Sequence, residues 1–469
     1  MGLHSPFTTS AWASIALWVI SICPNQATAL SASSQLTSFN STFSLSSQQI
    51  SDANFTLSDV DSVNNIIKWE QSQYAGGPTT EDIFYNLPTI ANGSNLSPGT
   101  LIKTEDFTNI TTYSLSANLA LSRILYMSRN LNGSSVPASA FILWPFTPRQ
   151  FSTSSNNTTS TTAPVVLWTH PTSGFFSSQG PSKHRTLWAG DNAPFALALA
   201  GYAVVAPDYA GLGVSVDFDG KHIPHQYLAS PASANDAIFA LQAARSAFPT
   251  RLGREFVVMG QSQGGGVAWG TAELIAREPE LADGYLGAVA VSPTTDVFSG
   301  APDYIAPFVS FGLASVFPAF QSEEWLTAFG QGRANVSAGA WRLRFAFFTA
   351  ESESEGIARA GVNETWEAIA YGRLANAGRK EVKGPLLVIQ GTEDAFVPYA
   401  VTTATVGDTC ALFPGNGIRY VVSNGTGHVP TLDATRMLWL GWIGERFEGK
   451  DVEAGKCGGG SVLESFFAH

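Results

Sequence analysis

Between Val165 and Arg446 the sequence repeats one unit, a short apolar run followed by a longer helix-like stretch. The apolar runs are Val165–Trp168, Tyr202–Ala206, Phe256–Met259, Tyr285–Val291, Leu386–Ile389 and Ile418–Val422. The helix-like stretches include Ala193–Ala200, Ala232–Ala247, Gly265–Arg277 and Thr431–Arg446. Runs this short with no polar face are strands covered on both sides, and intervening helices connect such strands in parallel. The chain therefore reads as α/β, with a mostly parallel central sheet and helices on both faces. Arg123–Met127 and Ser139–Trp144 read as two more strands, turning at Asn132-Gly133. The alternation breaks over residues 295–384, which are rich in Ala, Phe and Trp and read as a helical insertion with helices such as Trp325–Phe329 and Ala340–Ala350.

One junction in this pattern carries chemistry. Gly260-Gln261-Ser262-Gln263-Gly264 follows an apolar run directly and opens a helix-like stretch. A G-x-S-x-G run between a strand and a helix turns so sharply that the serine hydroxyl stands clear of the backbone. Ser262 is the candidate nucleophile. A serine hydroxyl needs a base. Of the seven histidines, His428 in Asn424-Gly425-Thr426-Gly427-His428 stands just past the last long apolar run, where a base in the order Ser, Asp, His belongs. The His222-x-x-His225 pair has no clustered companions and reads as no metal site. An acid must orient the imidazole. Gly391-Thr392-Glu393-Asp394 follows the Leu386–Ile389 run, so Glu393 and Asp394 both qualify, and Asp394 in G-x-x-D-x-x-V-P is the choice. The developing oxyanion needs two N–H donors. These are assigned to Gln263 and to Thr172, because Pro171 beside Thr172 has no N–H. Phe175, Phe176, Phe308, Phe311 and Phe317 are candidates for an acyl pocket, the last three within the almost wholly apolar run Ala306–Phe320.

Three stretches resemble the fungal secretory lipase family: AGYAVVAPDYAGLG (Ala200–Gly213), GQSQGGG (Gly260–Gly266) and Pro98-Gly99-Thr100. The resemblance runs from about Tyr85 to Phe447, and departs from the family where His170-Pro171 stands for the usual His-Gly. It implies an α/β-hydrolase fold with a helical cap or lid, and cleavage of carboxylic esters by Ser262, Asp394 and His428 through an acyl-enzyme, with no metal and no cofactor. Acyl or acetyl esters of lipids or small hydrophobic metabolites are the implied substrates. A serine peptidase, an acyltransferase and a catalytically silent binding protein on the same fold are the alternatives.

The N-terminus carries an address. Ala11–Cys23 is apolar and too short to span a membrane, and Ala27-Thr28-Ala29 supplies a cleavage pattern, so residues 1–29 read as a signal peptide. Residues 30–84 read as a polar extension, with Ser-rich loop over 30–60, and residues 85–294 with 385–469 as the catalytic core. Secretion agrees with eleven N-x-S/T sequons, at Asn40, Asn54, Asn92, Asn95, Asn109, Asn132, Asn156, Asn157, Asn335, Asn363 and Asn424. Removal of Cys23 leaves Cys410 and Cys457, which are expected to pair in an oxidising compartment. A formal net charge of −12 argues against nucleic-acid binding. The expected partners are an ester substrate and transient contact with a lipid surface, with no obligate protein partner.

Overall fold

The computed structural model describes residues 43–90, 93–151, 162–299, 305–337, 356–450, 452, 457–458 and 460–465. The leader, the expected helix Ala340–Ala350 and the sequons at Asn40, Asn92, Asn156 and Asn157 lie outside them. Among the described residues ten strands form one sheet: β1 (Leu101–Glu105), β2 (Ala120–Arg129), β3 (Ser135–Trp144), β4 (Ala163–Thr169), β5 (Ala203–Pro207), β6 (Leu252–Gln261), β7 (Tyr285–Val291), β8 (Leu386–Gly391), β9 (Ile418–Ser423) and β10 (Ser461–Leu463). Their spatial order is β1-β2-β3-β5-β4-β6-β7-β8-β9-β10. The first three strands pair antiparallel with their neighbours, and every pair from β5 to β10 is parallel.

The side chains of each inner strand divide between two cores, as the two-residue period of a strand requires. Val165, Leu167, Val205, Phe256, Val258, Ala288 and Val388 face one side. Val166, Trp168, Val204, Val257, Met259, Val289 and Leu387 face the other. The first face is covered by helices Ser230–Ala247 and Gln263–Arg277, and the second by Pro194–Leu199 and Arg436–Phe447. The connection from β4 to β5 uses the second face, and the return from β5 across to β6 uses the first. Right-handed crossovers in opposite directions place their helices on opposite faces. The strand order thus reverses beside β4, and a crevice opens at the carboxyl ends of β4 and β6.

Two expectations are corrected. Within the stretch read as loop, residues 47–52 are helical and a second helix, residues 57–72, begins and runs on into the polar extension; Leu45, Ala53, Val63 and Ile67 pack against Val336. Capping boxes start both helices, Ser46 with Gln49 and Thr56 with Asp59, and polar residues outside the caps hid the periodicity. A single helix over Trp325–Phe329 does not form. Helix Ser322–Trp325 ends there and Ala328–Ser337 begins, because Leu326 bridges to Ala358 and the Thr327 N–H donates to Ile357 O at 3.0 Å. Cys410 and Cys457 are bonded. The bond ties helix Tyr399–Leu412 to the tail whose β10 extends the sheet beside β9. All seven described sequon asparagines, Asn54, Asn95, Asn109, Asn132, Asn335, Asn363 and Asn424, are exposed.

Candidate functional site

Ser262 occupies the single residue between β6 and helix Gln263–Arg277, at φ 61° and ψ −123°. A residue with a Cβ held there is strained, at a cost of order 1–3 kcal/mol. The strain is imposed by close packing on both sides. A Cβ on Gly260 would collide with Gly264 O and the Thr169 hydroxyl, and a Cβ on Gly264 would collide with Thr169 O. The Thr169 hydroxyl lies 2.8 Å from Gly264 O and 3.1 Å from Met259 O, so the end of β4 is clamped onto the turn.

The Ser262 Oγ lies 2.8 Å from His428 Nε2, and His428 Nδ1 lies 2.8 Å from Asp394 Oδ2. His428 arrives on the loop after β9 and Asp394 on the loop after β8. Asp394 is buried and fully satisfied. Its Oδ1 accepts from the N–H groups of Phe396 and Val397, both at 2.9 Å, and its Oδ2 accepts from Gln390 Nε2 at 2.9 Å as well as from His428. Burial by itself would raise the carboxyl's pKa. The hydrogen bond and charge of His428 and the two N–H groups outweigh that and hold it below its ordinary value. A carboxylate so fixed holds the His428 ring with an N–H toward Asp394 and a lone pair toward Ser262. Glu393, the alternative acid, is exposed.

Two other buried histidines of the core, His170 and His225, are placed differently. His170 is buried against Tyr209 with ring centroids 4.0 Å apart, and burial pushes its pKa down to about 3. His225 is buried too, with its pKa pushed down to about 4. Both are neutral at ordinary pH and neither touches Ser262. Among the described residues, the backbone N–H groups of Gln263 and Thr172 have no hydrogen-bond partner. The first opens a helix, where N–H groups are orphaned by construction.

A cavity of about 60 Å³ lies over Ser262 and His428. Its walls include Thr172, Tyr227, Ile305, Phe308 and the run Phe396-Val397-Pro398. Of the five aromatic pocket candidates, only Phe308 lines this cavity. Phe175 stands behind it, stacked on Phe308 at 5.5 Å, and Phe311 packs on Phe175 at 5.1 Å. Phe176 is 44% exposed and Phe317 packs on Trp366 at 5.3 Å, so both leave the pocket set. Tyr227, Ile305 and Phe396 were not legible as lining residues. Phe396 alone had a signal, its place inside the acid loop, and Gln390, which orients the acid, had none.

A family model described as the alpha/beta hydrolase family matches residues 165–438, more than half of the chain. The protein belongs to the alpha/beta hydrolase family. No curated protein matches its sequence. Among solved structures, lipase A of Candida antarctica superposes with a TM-score of 0.62 at 16% identity, over 84% of this chain and 91% of that one. A rice cell wall degrading esterase, LipA from Xanthomonas oryzae, gives 0.55 at 18% identity, over 73% of this chain and 95% of that one. At such identities the likeness establishes the α/β-hydrolase fold.

Two buried carboxyls behind the site make this hydrolase's stability depend on pH. Asp208 accepts from Ser139 Oγ at 2.5 Å and from Ser182 N at 2.7 Å, and Asp236 accepts from Ala210 N at 3.1 Å and from the Ser128 hydroxyl. Burial raises their pKa values to about 6 and about 7, against the lowering effect of these bonds. Unfolded, both fall near about 4. Between those limits the folded chain holds protons that the unfolded chain has lost, so their contribution to stability falls as pH rises. The buried His170 and His225 act in the opposite sense below about pH 6.5, so the carboxyl contribution is read as a difference: between about pH 4 and pH 7 the wild type is expected to lose melting temperature relative to Asp236→Asn. An equal slope in both proteins would contradict this origin.

Proposed function

We propose that the protein is a secreted serine carboxylic-ester hydrolase that works through an acyl-enzyme. The observation that carries this is the unbroken contact line Ser262 Oγ, His428 Nε2, His428 Nδ1, Asp394 Oδ2, with 2.8 Å at each hydrogen bond, opening into a cavity. The His428 imidazole takes the hydroxyl proton as Ser262 Oγ attacks the ester carbonyl. The carbonyl oxygen becomes negative and is met by the free N–H groups of Gln263 and Thr172. The tetrahedral intermediate collapses, and the alcohol leaves with the proton from His428. Water, deprotonated by the same imidazole, then attacks the acyl-enzyme and releases the acid. Asp394 stays ionised and stabilises the imidazolium in both halves.

The resemblance to fungal secretory lipases, the leader-like first 29 residues, the exposed sequons and the Cys410–Cys457 bond support secretion. The cavity size points to short acyl groups. Sites for drug-sized ligands run to about 300 Å³ and more, and Phe308, backed by Phe175 and Phe311, forms one wall of this one. The test is a p-nitrophenyl ester series from acetate to palmitate, run on protein recovered from the medium of a eukaryotic host. The expected result is a chain starting at Leu30 that turns over acetate and butyrate at least about tenfold faster than palmitate, a margin a few methylenes supply. Preference for palmitate would overturn the short-acyl reading, retention in the cell would overturn secretion, and an aminoacyl amide cleaved faster than its ester would favour a peptidase.

A further inference from the structure

The turn His225-Gln226-Tyr227 touches both residues assigned as oxyanion donors. The Tyr227 hydroxyl lies 3.1 Å from Thr172 Oγ1, and His225 Nε2 lies 3.3 Å from Gln263 Nε2. Two residues apart, and joined by a Tyr227 N–H to His225 O hydrogen bond of 2.8 Å, these side chains reach the loop after β4 and the first residue of the helix after β6.

The chemistry of the His225 contact is fixed by its other nitrogen. Nδ1 lies 3.2 Å from Ala210 O, and a carbonyl accepts, so Nδ1 carries the proton. A neutral imidazole then has a lone pair on Nε2, which accepts from the Gln263 amide. That orientation leaves Gln263 Oε1 buried with no hydrogen-bond partner among the described residues. Turning the amide over would set Oε1 against the Nε2 lone pair, which is worse. The Gln263 side chain therefore accepts an unmade bond in exchange for a fixed position. Ala210 is itself held, its N–H donating to Asp236 Oδ2 at 3.1 Å. The Tyr227 end is held from the other side, where the Tyr371 hydroxyl donates to Tyr227 O and Phe175 packs edge-on at 4.9 Å. Tyr371 belongs to helix Trp366–Ala375 of the insertion.

We infer that His225 and Tyr227 are positioning residues for the oxyanion hole, His225 setting the Gln263 N–H through its side chain and Tyr227 setting Thr172. This rests on the esterase reading above. Neither residue takes a proton or forms a bond with substrate. The brace explains how a hole keeps its geometry with Pro171 in the loop, and it joins the two donors to each other and to the insertion.

The test compares the wild type with His225→Leu, His225→Gln and Tyr227→Phe. Three quantities are read: kcat and KM on p-nitrophenyl acetate, inhibition by a short alkylboronic acid, and inhibition by the matching alkyl amide. The boronic acid forms a tetrahedral adduct on Ser262 with an oxygen in the hole, and the amide resembles the ground state. His225→Leu and Tyr227→Phe are expected to lose roughly 10- to 100-fold in kcat and in boronic acid affinity together, somewhat less than deleting a donor outright. KM and amide inhibition are expected to stay within about twofold of the wild type. His225→Gln, whose carbonyl can accept from Gln263, is expected to recover most of the loss. Boronic acid affinity unchanged in both variants, or boronic acid and amide affinities falling equally, would overturn the brace. If His225→Leu fails to fold, Tyr227→Phe against His225→Gln decides. A wild type that neither hydrolyses the ester nor binds the boronic acid overturns the esterase reading and the brace with it, whereas an active wild type with unaffected variants overturns the brace alone.

Discussion

Replacing Ser262 by alanine is expected to lower kcat on p-nitrophenyl acetate by about 10⁶-fold, since removing a triad nucleophile alone costs nearly as much as removing the whole triad. The folded state should survive, because the hydroxyl bonds to the His428 ring and alanine adds no atom to the turn. A companion variant separates chemistry from strain. Ser262→Gly removes the Cβ from a backbone at φ 61° and ψ −123°, a region glycine occupies freely. It is expected to be as inactive as the alanine variant and yet more stable than it, by about 1–3 kcal/mol of released strain. The position would then show the usual exchange of stability for function. Equal stability of the two variants in a denaturant titration would remove strain from the account.

Asp394→Asn is expected to cost about 10⁴ in kcat while leaving KM and the fold nearly unchanged. The reason is tautomeric. Asp394 Oδ2 accepts from both Gln390 Nε2 and His428 Nδ1, and Oδ1 accepts from two backbone N–H groups. An asparagine must place its NH₂ group on one side of this all-donor ring. The backbone pair cannot move, so the NH₂ falls on the His428 side and turns the imidazole to the wrong tautomer. Glu393→Gln, one residue away and exposed, is expected to change kcat by less than about twofold. Stopped-flow or steady-state rates on the same ester check both. A large loss in the Glu393 variant with a small one in the Asp394 variant would exchange the two assignments.

The central sheet was legible because its strands are buried on both faces, so their sequences carry no polar interruption. Tyr285–Val291 was read at its true limits, and the other inner strands within a few residues. Strands β1 and β10 were not read. Leu101–Glu105 and Ser461–Leu463 are edge strands, partly solvated and too short to show a continuous apolar run. The site was legible where chemistry restricts residue type and backbone form together, as at Gly260–Gly264. It was illegible where a residue acts by reaching across the fold. The pairing of Asp394 over Glu393 could be favoured from the motif, but only the tertiary course of the loops after β8 and β9 brings Asp394 to His428. The aromatic lining failed for a similar reason. Phe308, Phe311 and Phe317 share one helix and its end, and of the three only Phe308 reaches the cavity. His225 shows the same limit from the other side. As part of His222-x-x-His225 it read only as a poor metal motif, and its contact with Gln263 spans 38 residues.

The most direct test of the whole account is covalent labelling by a fluorophosphonate, followed by peptide mapping. The reagent reacts with a serine only when a base and an oxyanion hole act together on it. Wild-type protein is expected to take up one equivalent, on the peptide containing Ser262, with labelling abolished in Ser262→Ala and at least about 10³-fold slower in His428→Ala. Label on another residue, or equal labelling of wild type and His428→Ala, would contradict the assignment of Ser262, His428 and Asp394 as a working triad.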